Sequence, residues 1–210
     1  MNSLKKNVSL AMNLAVVFFE ITAFSMTFSV HGTGIFIYFT ELSNIFGGIV
    51  CAVMASFLIR ELITKKEVPA AVSVLKYVAA CALALTFFTV IFVLVPLSGF
   101  TLQNYKGYML EGSVLFTHTL NPLLAMLSCI FVDEGKAVEN FKVTFLGFIP
   151  TFLYATISVI LNIMRVWVGP YPFLKVYENG AVASVIWVFV MFGFSFLLCA
   201  GIWKGRKMVS

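Results

Sequence analysis

The sequence predicts an all-α, polytopic membrane protein: six transmembrane helices in one bundle, a single domain over residues 1–210. Three observations carry this. Hydrophobic residues make up 61% of the chain and charged residues only 11%, where a soluble domain carries roughly 25% charge. The apolar residues fall in six blocks of about 20, the length that ~30 Å of hydrocarbon asks of a helix rising 1.5 Å per residue. Within those blocks apolar and polar residues do not alternate as they do in barrel strands.

The first span is expected from about Val8 to Val30. Lys5 and Lys6 precede it in the manner of a signal peptide, but the run is long, contains Glu20 and lacks a small-residue cleavage site, so it reads as a retained helix. A four-residue turn, His31-Gly32-Thr33-Gly34, leads to the second span, about Ile35 to Leu58. So short a link makes the two helices antiparallel neighbours. After a charged loop from Arg60 to Glu67, Pro69 signals the next start, and the third span runs from about Leu75 to Val95, stopping near Pro96. Residues 97–112 are mixed, aromatic and punctuated by glycine, as an interfacial lid or surface segment would be. The fourth span, about Ser113 to Val132, ends at Asp133-Glu134-Gly135-Lys136. The fifth, about Val143 to Val168, contains Pro150 and is expected to kink there. The segment Gly169-Pro170-Tyr171-Pro172-Phe173 cannot continue a helix, and the sixth span runs from about Ala181 to Trp203 before Lys204-Gly205-Arg206-Lys207.

Six spans put both termini on one side. Eleven of the fourteen basic residues fall on that side, from Lys5 and Lys6 to Lys207, leaving Lys106, Arg165 and Lys175 opposite. The positive-inside rule then sets both termini in the cytoplasm of a cell-membrane protein. The net charge of +5 is therefore spent on orientation, with no soluble basic face of the kind that binds nucleic acid. No internal repeat is visible, which counts against an inverted-repeat transporter. Cys51, Cys81, Cys129 and Cys199 all lie in apolar blocks without CxxC spacing, so they read as packing residues and not as a disulfide or zinc framework. The two histidines, His31 and His118, are far apart and show no HxxxH or ExxH spacing, so no metal and no cofactor is implied.

The unusual stretch is Tyr38-Phe39-Thr40-Glu41-Leu42-Ser43-Asn44, a polar block inside the second apolar run. Polar and ionisable groups at hydrocarbon depth are costly unless paired, which makes them a hypothesis of function. At 1.5 Å per residue Thr40 lies roughly 8 Å below the outer surface and Asn44 roughly 14 Å. His118, five residues into the fourth span from the same side, is again roughly 8 Å deep. Asn162 and Arg165 come near the outer end of the fifth span, and Glu20 sits near mid-membrane. Thr40, Glu41 and Asn44 occupy adjoining stripes of one helix face, and His118 and Asn121 are three apart on another, just before Pro122.

A Thr hydroxyl is a poor nucleophile unless a base accepts its proton and a third group orients the base. Thr40 as nucleophile and His118 as base satisfy this, with Glu20, Glu41 or Asn44 as orienter and Ser43 or Asn121 near a developing oxyanion. Other roles compete for the same side chains. A membrane Thr commonly bonds its own helix carbonyl, Asn44 and Asn121 can join helices, and Arg165 can snorkel or pair with a glutamate.

Three marks together resemble a known family: Tyr38-Phe39-Thr40 followed by Ser43-Asn44, His118 followed four residues later by Pro122, and Gly169-Pro170-Tyr171-Pro172-Phe173. Their order and spacing are similar to those of the androgen-induced, FAR-17a-like six-span membrane proteins and their bacterial relatives. Animal members of that family are threonine hydrolases of fatty acid esters of hydroxy fatty acids. The resemblance thus implies Thr40 as nucleophile, His118 as its partner and a membrane lipid or acyl ester as substrate. The sequence departs from the family in having Glu41 beside the threonine. A related group of six-span acyltransferases uses Cys with His, and no Cys stands at position 40. Beside the hydrolase stand two further readings: a transporter or a ligand- or proton-binding protein using Glu20, Glu41, His118 and Arg165, and a purely structural membrane subunit.

Overall fold

The computed structural model describes residues 3–133 and 135–209. Glu134 and the side chain of Lys136, both in the expected polar loop after the fourth span, lie outside what is described. Among the described residues every regular element is a helix and there is no strand. Five helical segments are long and apolar enough to cross a membrane: Ser3–Ile37, Phe39–Thr64, Ala70–Leu97, Val143–Ile163 and Val176–Val209. The fourth expected span is shorter, Leu115–Phe131.

We name the helices α1 (Ser3–His31), α2 (Phe39–Thr64), α3 (Ala70–Thr89), α4 (Leu102–Met109), α5 (Asn121–Phe131), α6 (Val143–Ile163) and α7 (Val176–Val209). Two of them adjoin π-helical turns, Val90–Leu94 after α3 and Leu115–Leu120 before α5. Each π turn lies just ahead of a proline, Pro96 or Pro122. A proline offers no N–H and its ring clashes with the carbonyl four residues back. Widening the turn relieves that clash, and such turns recur at functional sites. For Pro122 the carbonyl four residues back is that of His118.

Helix α3 is the axis of the bundle, with every residue from Lys76 to Thr86 buried. Its small side chains, among them Ala79, Ala80, Cys81, Ala82 and Ala84, let neighbouring helices approach closely, as membrane helix packing requires. Helix α2 contributes Gly47 and Gly48 to the same close packing. A Cβ on Gly47 would meet Leu83 Cδ1 at 2.6 Å, and one on Gly48 would meet Glu20 Cγ at 2.8 Å. Glycine at position 48 therefore makes the room that Glu20 occupies between α1 and α2. Outward-facing positions such as Phe18, Ile49, Phe92, Leu153 and Phe189 are apolar and exposed, as suits a lipid-facing surface.

Contacts separate the two ends of the bundle. At one end Lys6 pairs with Glu61 at 2.7 Å, the Ser9 hydroxyl donates to Asp133, and Arg206 donates to the Cys129 carbonyl at 2.6 Å. The start of α1, the end of α2, residue 133 and the end of α7 therefore share this charged end. At the other end Tyr154 Oη donates to the Ile37 carbonyl at 2.7 Å, and the Tyr38, Tyr154 and Tyr171 rings meet edge to face.

Several element boundaries differ from those the sequence suggests. Helix α3 begins at Ala70 instead of Leu75, which carries Lys76 into the packed interior, where it is 1% exposed. It faces Asp133 at 3.9 Å and the Cys51 sulfur at 3.1 Å. Lys76, counted among the termini-side cations, is thus a buried charge. Helix α6 ends at Ile163, five residues before Val168, and runs as one element through Pro150 with no interruption. Its end is set by Asn162, whose amide donates to the Trp167 and Val168 carbonyls and whose carbonyl accepts from the Val176 N–H at 2.9 Å. Arg165 then turns the chain in the left-handed region, φ 57°. Helix α7 starts at Val176, earlier than Ala181, and bends at Gly180, φ 76°. The four cysteines are buried and free.

Candidate functional site

Thr40 is the second residue of α2, in the turn whose backbone N–H groups have no carbonyl partner within the helix. Its N–H donates to the Tyr171 hydroxyl at 3.2 Å, and its own hydroxyl lies 3.3 Å from the same phenol oxygen. The Thr40 side chain lines a largely apolar cavity of about 40 Å³ together with Leu85, Thr86, Tyr154, Phe173 and Met191. By volume the cavity holds a few waters or a short length of acyl chain. Ser43, one turn deeper, bonds the Thr40 carbonyl at 3.0 Å and the Thr86 hydroxyl at 2.9 Å, which anchors this face of α2 to α3.

Asn44 is the joint of the site. Its amide donates to the Thr40 carbonyl at 2.8 Å and to the Thr117 carbonyl at 2.9 Å. Its own carbonyl accepts from the Asn121 amide at 3.1 Å, and Asn121 also donates to Glu20 Oε2 at 3.1 Å. Glu20, Glu41, Asn44 and Asn121 are all at least nine-tenths buried. Glu41 stands close enough to Glu20 for the two carboxyls to interact electrostatically. Glu20 Oε1, Glu41 Oε2 and Asn121 Oδ1 have no hydrogen-bond partner among the described residues. Leaving such a group unpaired in a dry interior costs roughly 1–3 kcal/mol, so this network asks for a donor.

His118 is half-buried, and its Nδ1 lies 2.6 Å from the Tyr108 carbonyl oxygen. That bond makes Nδ1 the protonated nitrogen and leaves Nε2 with its lone pair, the tautomer a base requires. The neighbouring Thr119 donates to the Met109 carbonyl at 2.6 Å, so both bonds dock the end of α4 onto the π turn. Residues 97–112, expected as an interfacial lid or surface segment, thus contain a short helix capped by Thr101 and set the orientation of His118.

Six of the eight sequence-selected residues come together. Thr40, Glu41, Ser43 and Asn44 on α2 meet Asn121 on α5 and Glu20 on α1. His118 follows Thr117, whose carbonyl Asn44 binds, but its side chain does not share the group's bonds: no hydrogen bond joins it to Thr40 among the described residues. The π turn explains this. A widened turn between His118 and Asn121 breaks the stripe that three-residue spacing implies in an α-helix, so Asn121 faces the core and His118 faces α4. Arg165 stays apart, exposed at the aromatic end with its guanidinium 4.5 Å from the centre of the Tyr177 ring.

Tyr171 is the residue that sequence reasoning did not assign to the site. Its signal was the break in helix pattern at Gly169–Phe173, which marks a turn without saying where the turn folds back. Among the described residues no three His, Cys, Asp or Glu side chains gather as a metal ion would need. Comparison of the chain with protein-family models, with curated proteins and with solved structures finds no match.

Proposed function

We propose that this protein is a membrane-embedded hydrolase of lipid acyl esters, with Thr40 as nucleophile and His118 as base, in a six-span chain whose charged end faces the cytoplasm. The observation that supports it is the placing of the Thr40 hydroxyl: buried, in the first turn of a helix, on an apolar cavity at the aromatic end of the bundle. Backbone N–H groups at a helix start favour negative charge as it develops. His118 has one nitrogen bound to a backbone carbonyl and the other presented as an acceptor, which satisfies the need for an oriented base. Asn44 ties the carbonyl of residue 40 to that of residue 117, the residue before His118, which supports pairing the two. The base then acts through a bridging water or on closure around substrate, since catalytic hydrogen bonds often tighten only in the complex. The eleven cationic residues on the termini side supply the orientation.

The test is covalent labelling of the purified chain with a fluorophosphonate bearing an alkyl tail. Wild-type protein is expected to be labelled, and Thr40→Ala not at all. Labelling that persists in Thr40→Ala would remove Thr40 as nucleophile.

A second reading is favoured by a specific feature, the three buried oxygens on Glu20, Glu41 and Asn121 that lack a donor. Here the carboxyl pair takes up a proton or a small cation inside the membrane. In proteoliposomes under a pH gradient this reading expects proton flux that Glu20→Gln abolishes and Thr40→Ala leaves intact. Liposomes that stay as tight as protein-free ones would discard it.

A further inference from the structure

We propose that Tyr171 is a further catalytic residue of the Thr40 site: its hydroxyl and the Thr40 backbone N–H together hold the ester carbonyl oxygen as that oxygen becomes negative. This rests on the reading of Thr40 as nucleophile.

The geometry converges on one spot. Tyr171 Oη is 3.3 Å from Thr40 Oγ1 and 3.2 Å from the Thr40 backbone nitrogen. The N–H in question belongs to the first turn of α2, where no helical carbonyl competes for it. With no substrate in place, the phenol oxygen itself accepts that N–H. A substrate carbonyl entering beside Thr40 Oγ1 therefore finds the N–H and the phenol O–H within reach of one spot, and takes the N–H over from the phenol oxygen.

The phenol is held stiffly. Its ring stacks parallel on Phe173, 5.2 Å between centres and 4° between planes, and meets Tyr38 and Tyr154 edge to face at 6.1 and 6.4 Å. The turn that carries it depends on Gly169, whose φ of 90° suits glycine and whose missing Cβ would press on the Leu174 carbonyl oxygen at 3.2 Å. Burial pushes the Tyr171 phenol above its ordinary range, so it remains protonated and able to donate. A donor fixed in a dry site need not reorganise as charge appears, which is where electrostatic stabilisation is strongest.

The step balances as follows. Thr40 Oγ1 bonds to the ester carbonyl carbon and its proton passes to His118 Nε2. The carbonyl π pair moves onto oxygen, which Tyr171 Oη–H and the Thr40 N–H hold. Collapse restores the carbonyl and breaks the bond to the alcohol oxygen, which leaves with the proton from His118. Water attacks the acyl-Thr40 ester by the same route and frees the hydroxyl.

The test uses the full-length chain in detergent, with p-nitrophenyl octanoate as the ester and the fluorophosphonate as the covalent probe. Tyr171→Phe is expected to lower kcat by about 10²-fold, the size of losing one oxyanion donor, with KM unchanged and labelling slowed in parallel. Tyr77→Phe is the structural control, because Tyr77 is fully buried and donates to the Cys199 carbonyl at 2.6 Å far from Thr40. It is expected to keep the wild-type rate. A wild-type rate in Tyr171→Phe, or equal losses in the two tyrosine variants, overturns the inference while Thr40→Ala remains inactive. Wild-type labelling in Thr40→Ala overturns the hydrolase reading itself and this inference with it.

Discussion

Asp133→Ala is expected to destabilise the protein by about 3–5 kcal/mol, the cost of stranding one member of a buried ion pair. The substitution leaves the Lys76 ammonium, 1% exposed, without its carboxylate and 3.1 Å from the Cys51 sulfur. It also removes the acceptor for Ser9 Oγ and, at 3.5 Å, for the Asn13 amide. The Ser9 hydroxyl and a charge thereby lose their partner at the place where α1, α3 and the end of α5 meet, while the Asn13 amide keeps its 2.8 Å bond to the Ser9 carbonyl. The readout is the thermal midpoint in detergent, expected to fall by roughly 10 °C. Asp133→Asn separates charge from hydrogen bonding, because an amide oxygen still accepts from Ser9. Replacing both members, Lys76→Met with Asp133→Leu, is expected to recover most of the loss, since paired apolar residues often match a buried ion pair in stability. An unshifted midpoint in Asp133→Ala would mean that the pair is solvated and carries none of the packing assigned to it.

His118→Ala is expected to reduce ester turnover by about 10²–10⁴-fold, the range over which a positioned general base contributes. Its nearest structural role is the 2.6 Å bond to the Tyr108 carbonyl. His118→Asn can keep a donor toward that carbonyl while removing the basic nitrogen. The two variants should therefore be equally inactive although only the alanine one loosens α4 from the π turn. Recovery of turnover in His118→Asn would assign the histidine to holding α4 and leave Thr40 without a base.

How much of this the sequence foretold can be seen residue by residue. The apolar runs located the helices because a membrane span must be both long and greasy, a requirement independent of neighbours. The polar block at 38–44 stood out for the same reason, and Glu20, Glu41, Ser43, Asn44 and Asn121 do gather around Thr40. The end of α6 was misplaced because Asn162 caps the loop carbonyls from within an apolar run that reads as unbroken helix. Lys76 counted only as one of the termini-side cations because its partner Asp133 lies 57 residues away, and charge alone does not say which way a side chain points. The His118–Asn121 stripe was inferred from α-helical spacing, which the π turn ahead of Pro122 does not obey.

The sequence by itself thus determined an all-helical chain with membrane-length apolar segments and a set of polar residues inside them, because helix length and burial of apolar area follow from local composition. Tertiary structure alone decided which of those residues touch. It gave Thr40 the phenol of Tyr171, turned His118 toward α4, shut Lys76 in with Asp133 and left Arg165 outside. Those outcomes depend on the rotation of each helix about its own axis, which close packing at Gly47 and Gly48 and the widened turn at Leu115–Leu120 set between distant parts of the chain.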